Sequence, residues 1–177
     1  MSNENNATIE IITPSALEAI ERVQTDVQIT TAKRYPRVLS VVKKSMLEFA
    51  TLDEETAASC FYTILREDKT IQGPSARMAE IALSCFQNIK AGARIIANDG
   101  KTITAQGVCH DLQNNVCVSV EVRRRITYKS GRTYSDDMQV VTGNAACSIA
   151  LRNATLKVVP AALVKPIYEA EIGRAHV

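Results

Sequence analysis

"IKAGARIIANDGKTITAQGVCHDLQNNVCVSVEVRRRITY", residues 89–128, decides the fold. Its apolar residues recur with a period of two, the period of a half-buried strand. "NDGK" at 98–101 is tight-turn chemistry between two such runs, and "QNN" at 113–115 separates the second from the third. The stretch therefore reads as a three-stranded antiparallel meander. In its last strand Val118, Val120 and Val122 alternate with Ser119, Glu121 and Arg123. Arg123, Arg124 and Arg125 then follow in a row. Neighbours on a strand point to opposite faces, so Arg123 and Arg125 share one face and Arg124 shares that of the valines. "KSGR" at 129–132 is a further turn, after which "TYSDD" has the composition to pair back briefly.

Before the meander the period is helical. "TPSALEAIERVQTDVQ" starts a helix with Thr13 as N-cap and Pro14 at the first helical position. Leu17, Ile20, Val23 and Val27 form its apolar stripe. "YPRVLSVVKKSMLEFA" places Val38, Val41, Val42, Ser45 and Phe49 on one face of a second helix. Thr51 and Glu54 offer a capping box for a third, expected to run to about Arg66. Met78, Ile81, Ala82, Cys85 and Phe86 give a fourth its apolar face. After the meander comes a long helix over roughly 138–158, either capped by Asp136 with Gln139 or starting at Thr142. It is rich in small residues (Gly143, Ala145, Ala146, Ser148, Ala150, Ala154), so it can lie close against a sheet, and Pro160 ends it. The class is α+β. The expected organisation is a disordered stretch at 1–12 and one domain at 13–170, with a helical part (13–88) and a meander-plus-helix core (89–170).

The last seven residues, "EIGRAHV" at 171–177, match the translation of a common short-read sequencing adapter, GAG ATC GGA AGA GCA CAC GTC. We expect them to be non-native and the natural chain to continue past residue 170, so Arg174 and His176 carry no functional argument.

Composition narrows the function. Hydrophobic residues make up 46%, enough for a core, and the net charge is only +2. The charge is uneven, however. Residues 1–21 hold Glu4, Glu10, Glu18 and Glu21 and no base, whereas 120–134 hold Arg123, Arg124, Arg125, Lys129 and Arg132 against Glu121. The five cysteines are odd in number, form no C-x-x-C and sit in apolar patterns, as buried thiols of a reducing compartment do. No apolar run approaches a membrane span and the N-terminus is unlike a signal peptide, so a soluble cytoplasmic protein is expected.

Arginine's fork of donors suits phosphate, and Tyr128 and Tyr134 flank the basic turn as stacking groups. Charge alone is served equally by a solvated hairpin whose arginines pair with Glu121, Asp136 and Asp137. Arg152 and Lys157, on the otherwise small and apolar last helix, mark either a solvated face or further phosphate contacts. Cys109, His110 and Asp111 are adjacent, so strand alternation keeps them from forming a triad. With one histidine outside the tail, a His-based metal cluster is nearly excluded. Asp111 with Glu121-Val122-Arg123 faintly matches the acid and acid-x-lysine pattern of metal nucleases, with arginine in place of lysine. Two such carboxylates would hold a hard cation. G-x-x-x-x-G-K is absent, so no nucleotide-hydrolysing site is legible.

Three strings, "IQGPSARMAEIAL" (71–83), "GVCHDLQNNVCVSVEVRRRI" (107–126) and "DDMQVVTGNAACSIALRNATLKVVPAAL" (136–163), carry a resemblance. With the meander-then-helix layout, they make residues 70–165 similar to bacteriophage single-strand DNA annealing proteins, the superfamily of RecT, Red-beta and the eukaryotic annealing factor of homologous recombination. The resemblance implies subunits assembled into rings or filaments in the cytoplasm of a bacterial host. It implies single-stranded DNA in a positive groove between hairpin and helical layer, and annealing without ATP, metal or other cofactor. A C-terminal segment past residue 170 would contact a phage exonuclease or the host single-strand-binding protein. Arg123, Arg125, Lys129 and Arg132 become the expected phosphate contacts, with Arg124, Arg152 and Lys157 as second candidates. The alternatives are a nuclease using Asp111 and Glu121, and a non-enzymatic phage assembly protein.

Overall fold

The structure is a computed structural model and describes residues 13–175, with side chains to 170. The expectations for 1–12 and for the tail side chains lie outside the described residues. In chain order the elements are α1 (Pro14–Arg34), α2 (Leu39–Ala50), α3 (Glu54–Ser59), β1 (Phe61–Arg66), β2 (Lys69–Pro74), α4 (Ala76–Phe86), β3 (Ile89–Asn98), β4 (Thr102–Asp111), β5 (Val116–Arg125), α5 (Asp136–Val158) and α6 (Ala161–Ala175). The fold is α+β, and the meander forms an antiparallel sheet of order β3-β4-β5. Its turns follow the sequence chemistry: Gly100 takes a positive φ of 78° in the first, and Asn115 takes 54° in the second.

α5 crosses one face of this sheet, and the small residues decide how closely. Ala105 of β4 packs against Ala146 and Ala150 of α5, with Val122 and Cys147 at the margin. At Gly107 the approach is closest, because a Cβ there would lie 2.2 Å from the Ala150 carbonyl oxygen. A second core joins α2, α4 and α6 through Met46, Met78, Phe86, Val159 and Ile167. The α4 face is the one its period dictates: Met78, Ile81, Ala82, Cys85 and Phe86 are all buried. α5 turns through 108° into α6 at Val159–Pro160. Among the described residues no single helix is long and apolar enough to cross a membrane.

Four expectations need correction. The third helix stops at Ser59, capped by Asp53, whose Oδ1 accepts from the Thr56 amide at 2.7 Å. Phe61–Pro74 is instead a hairpin that turns at Glu67 and Asp68, both at positive φ. "FYTILR" is rich in aromatic and β-branched residues, and that preference overrides the capping signal. Tyr168 of α6 donates to Gln72, and its ring lies 5.0 Å from Phe61, so the hairpin is anchored on the helical core. The stripe of α1 is exposed, and so are Val38, Val41 and Phe49 of α2, which buries Val42, Met46 and Ala50 instead. α5 begins at Asp136 with Ser135 as its cap, not at 138 or 142. Cys60, Cys85 and Cys109 are buried, but Cys117 is exposed and Cys147 half-buried.

Candidate nucleic-acid interface

Strand register settles which faces the basic residues share. Val122 pairs with Ala105 under α5, so Arg123 and Arg125, opposite Thr104 and Thr102, lie on the other, open face. Arg124 pairs with Ile103 on the α5 side and is exposed, at the edge beyond that core. Across the open face run the rows Lys90–His110–Cys117, Gly92–Val108–Ser119, Arg94–Gln106–Glu121 and Ala97–Thr104–Arg123. Arg94 donates to Gln106 Oε1 at 3.4 Å. Lys90 and Arg94 thus join Arg123 and Arg125 on one surface that spans about 26 Å along the strands. Glu121 is the carboxylate among these rows.

α1 walls the Lys90 end. Lys90 Nζ donates to Thr25 Oγ1 at 3.0 Å. A groove of about 440 Å³ opens between helix and sheet, lined by Glu21, Thr25, Lys90, Arg94, Gln106 and His110 among others. The far end is framed by turns. Asp99 Oδ1 accepts from the Thr102 and Lys101 amides at 2.5 and 2.9 Å, and Oδ2 from the Thr102 hydroxyl at 2.9 Å. The Thr102 amide foremost, then Lys101, holds this carboxyl down at about 2. Asp99 Oδ2 is 3.9 Å from Arg123 Nη2, an exposed pair that leaves most of that guanidinium open to solvent.

The segment after β5 is tied to the first turn by backbone hydrogen bonds. Ile126 is buried, its amide donates to the Lys101 carbonyl at 2.9 Å, and its carbonyl accepts from the Tyr134 amide at 2.8 Å. Within this frame Thr127 and Thr133 form a single bridge, the brief return of "TYSDD". Tyr128 and Tyr134 contact each other edge to face at 4.7 Å, and the Arg132 guanidinium lies 5.3 Å from the Tyr128 ring. Thr133 Oγ1 donates to the Gly100 carbonyl at 3.2 Å. Lys129 and Arg132 are therefore at the same end of the sheet as Arg123–Arg125, alongside Lys101.

The structure does not bring Arg152 or Lys157 to this surface. Both are on α5, across the sheet from Arg123 and Arg125. Arg152 lies 5.2 Å from the Tyr62 ring of β1 and donates to Asn153 Oδ1 at 3.0 and 3.1 Å, while Lys157 is exposed in the last turn.

Asp111 and Glu121 do not converge either. They lie on opposite faces, five residue pairs apart in the register, about 17 Å along the strand. Asp111 is bound in both oxygens by Arg37, at 2.6 Å each, and the two side chains are only 5% and 4% exposed. Arg37 stacks on Phe86 at 3.9 Å and donates to the Gln87 carbonyl at 3.1 Å. Burial raises the Asp111 carboxyl, but Arg37 and Asn114 outweigh it and hold it below its ordinary value. The site is structural, tying the α1–α2 connection to the end of β4. Cys109 is buried, and burial pushes its thiol up to about 11, so it is no thiolate nucleophile at neutral pH. Among the described residues no group of three or more His, Cys, Asp or Glu could hold a metal ion.

Sequence reading missed Lys90, Arg94 and Lys101. Strict alternation counted back through the 98–101 turn puts Lys90 and Arg94 on the α5 side, and the register shift between Ile95 and Ala97 is what brings them to the face of Arg123. Searches against family models, curated proteins and solved structures find no match to this chain.

Proposed function

We propose that the chain binds single-stranded DNA on the open face of the β3-β4-β5 sheet and anneals complementary strands without ATP, as a phage recombination protein in the cytoplasm of a bacterial host. One observation carries the reading: Lys90, Arg94, Arg123 and Arg125 lie on one exposed sheet face, with Lys101, Lys129 and Arg132 at its end. Cations spaced along a strand suit a polyanion of regular repeat better than a small ligand. Neutralised phosphates let two like-charged strands approach, and release of their counterions supplies a salt-dependent driving force. The reaction makes and breaks no covalent bond, so it needs no general base. His110 and Gln106 on the groove floor offer hydrogen bonds to passing bases or sugars.

The test is annealing of complementary oligonucleotides without ATP at two salt concentrations, with binding measured in parallel. In an Arg123→Ala/Arg125→Ala variant, affinity should fall for every sequence. The slope of log affinity against log salt should flatten by about 1.4, two phosphate contacts on a single strand. Unchanged affinity and slope would refute the assignment.

A further inference from the structure

α1 is fixed at one end. The chain just after it is pinned to the foot of the sheet: the Tyr35 carbonyl accepts from Asn88 Nδ2 at 2.9 Å, the Arg37 amide donates to Gln113 Oε1 at 2.8 Å, and the Arg37 guanidinium holds Asp111. Ala32 is the buried residue of the helix, with Thr25 and Ile29 half-buried. From Pro14 to Gln24 every residue is exposed.

The side turned to the groove is acidic. Glu21 and Thr25 line it together with Lys90, Arg94 and His110, and Thr25 Oγ1 accepts from Lys90 Nζ at 3.0 Å. On a 3.6-residue period Glu18, Glu21, Thr25, Ile29 and Ala32 fall on one side of the helix. Arg22 and Asp26, one turn apart, share a flank and offset each other. The helix stands off the groove floor rather than packing on it, since a Cβ added at Gly92 meets nothing within 4 Å. A wall that carries two carboxylates does not suit the passage of a polyanion. It suits a segment that stands where the polyanion's phosphates go.

We infer, on the footing of the interface proposed above, that α1 is a strap competing with the nucleic acid for Lys90 and Arg94, and that strand binding displaces it. With the strap in place Lys90 is bonded to Thr25, and Glu18 and Glu21 lower the positive potential at the groove. Arg123 and Arg125 lie outside the groove and give an incoming strand its first foothold. The strand then takes Lys90 from Thr25 and repels both carboxylates, and the helix swings on the pinned, non-helical residues 35–38. Apparent affinity is the intrinsic affinity scaled by the fraction of molecules with the strap open, so α1 sets a threshold for binding. Once detached, α1 loses the packing of Ala32. Val, Ile and Thr recur through it, so it frays.

Hydrogen exchange of the wild-type chain, with and without a long oligothymidine, reads the strap directly. Amides of residues 18–32 should exchange faster in the complex, whereas a helix that clamped the strand would be protected. Oligothymidine affinity gives the second readout. Glu18→Gln/Glu21→Gln should raise it about threefold at low salt, and the gain should shrink as salt is added. The gain should vanish in a Lys90→Ala/Arg94→Ala background, and Asp26→Asn on the flank should produce none. Slower or unchanged exchange in the complex, no gain from the glutamine pair, a gain that survives the loss of Lys90 and Arg94, or an equal gain from Asp26→Asn would each overturn the strap while leaving the interface intact. No oligothymidine binding at any salt would refute the interface itself, and the strap with it.

Discussion

Replacing Gly107 by alanine tests the central packing of the fold. β4 and α5 meet there with backbone against backbone. The added Cβ would lie 2.2 Å from the Ala150 carbonyl oxygen, 2.3 Å from its carbon and 2.7 Å from the Leu151 nitrogen. None of these atoms is the end of a flexible side chain, and ordinary contact begins near 3.4 Å, so the helix must lift from the sheet by about 1 Å. Lifting it loosens the layer of Ala105, Ala146 and Ala150 at its centre. Overpacking of this kind costs about 1–3 kcal/mol or more. Alanine's smaller unfolded-state entropy returns only about 0.5 kcal/mol. At the upper end of that range the net loss is about 2.5 kcal/mol, which lowers Tm by about 5–10 °C in a chain of this size. Gly92 is the internal control: it is on the open face of β3 and a Cβ there meets nothing within 4 Å. Gly92→Ala should be neutral or slightly stabilising. Thermal unfolding of the two variants, followed by circular dichroism, decides the matter. Gly107→Ala with a wild-type Tm would show that α5 does not sit on β4 as described.

Removing Arg37 as Arg37→Met should cost about 3–5 kcal/mol in a denaturant titration, because it leaves the Asp111 carboxylate buried without its partner. The same pair sets a pH dependence. The Asp111 carboxyl is held below its ordinary 3.8, so its contribution is complete above that value and is lost as pH falls through the lowered one. Asp111→Asn should therefore lose less Tm than wild type between pH 5 and pH 2.5, and an equal loss would place the acid sensitivity elsewhere. On the open face, Lys90→Ala/Arg94→Ala should weaken oligonucleotide binding as Arg123→Ala/Arg125→Ala does. Arg152→Ala, beneath the sheet against Tyr62, should leave it within twofold, and fluorescence anisotropy with a labelled strand separates the two outcomes.

What local chemistry dictates was legible. The period of two, the turn residues at 98–101 and 113–115, and the small residues at 143–154 gave the meander and a close-packed helix, because each signal lies within a dozen residues of its consequence. The parity of Arg123, Arg124 and Arg125 was legible for the same reason. Conversely, the β1–β2 hairpin was hidden behind a capping signal that terminates after one short helix. Which side of α1 and α2 is buried also escaped the pattern. Their apolar stripes are visible in the sequence, but α1 meets the sheet through Thr25 beside Lys90 and α2 inserts Val42, Met46 and Ala50 into the core instead.

By itself, then, the sequence determined the elements of the α+β core and the alternation that divides its arginines. The tertiary structure alone decided which charges are shared and which are spent. Arg37 and Asp111, 74 residues apart, cancel each other in the interior. Lys90 and Arg94, unremarkable along the chain, join Arg123 and Arg125 across a sheet. Arg152, equally basic, is turned to the other side. The reason is physical: a side chain's charge is fixed by its chemistry, but its partner and solvent exposure are set by residues brought near only when the strands pair and α5 closes on them.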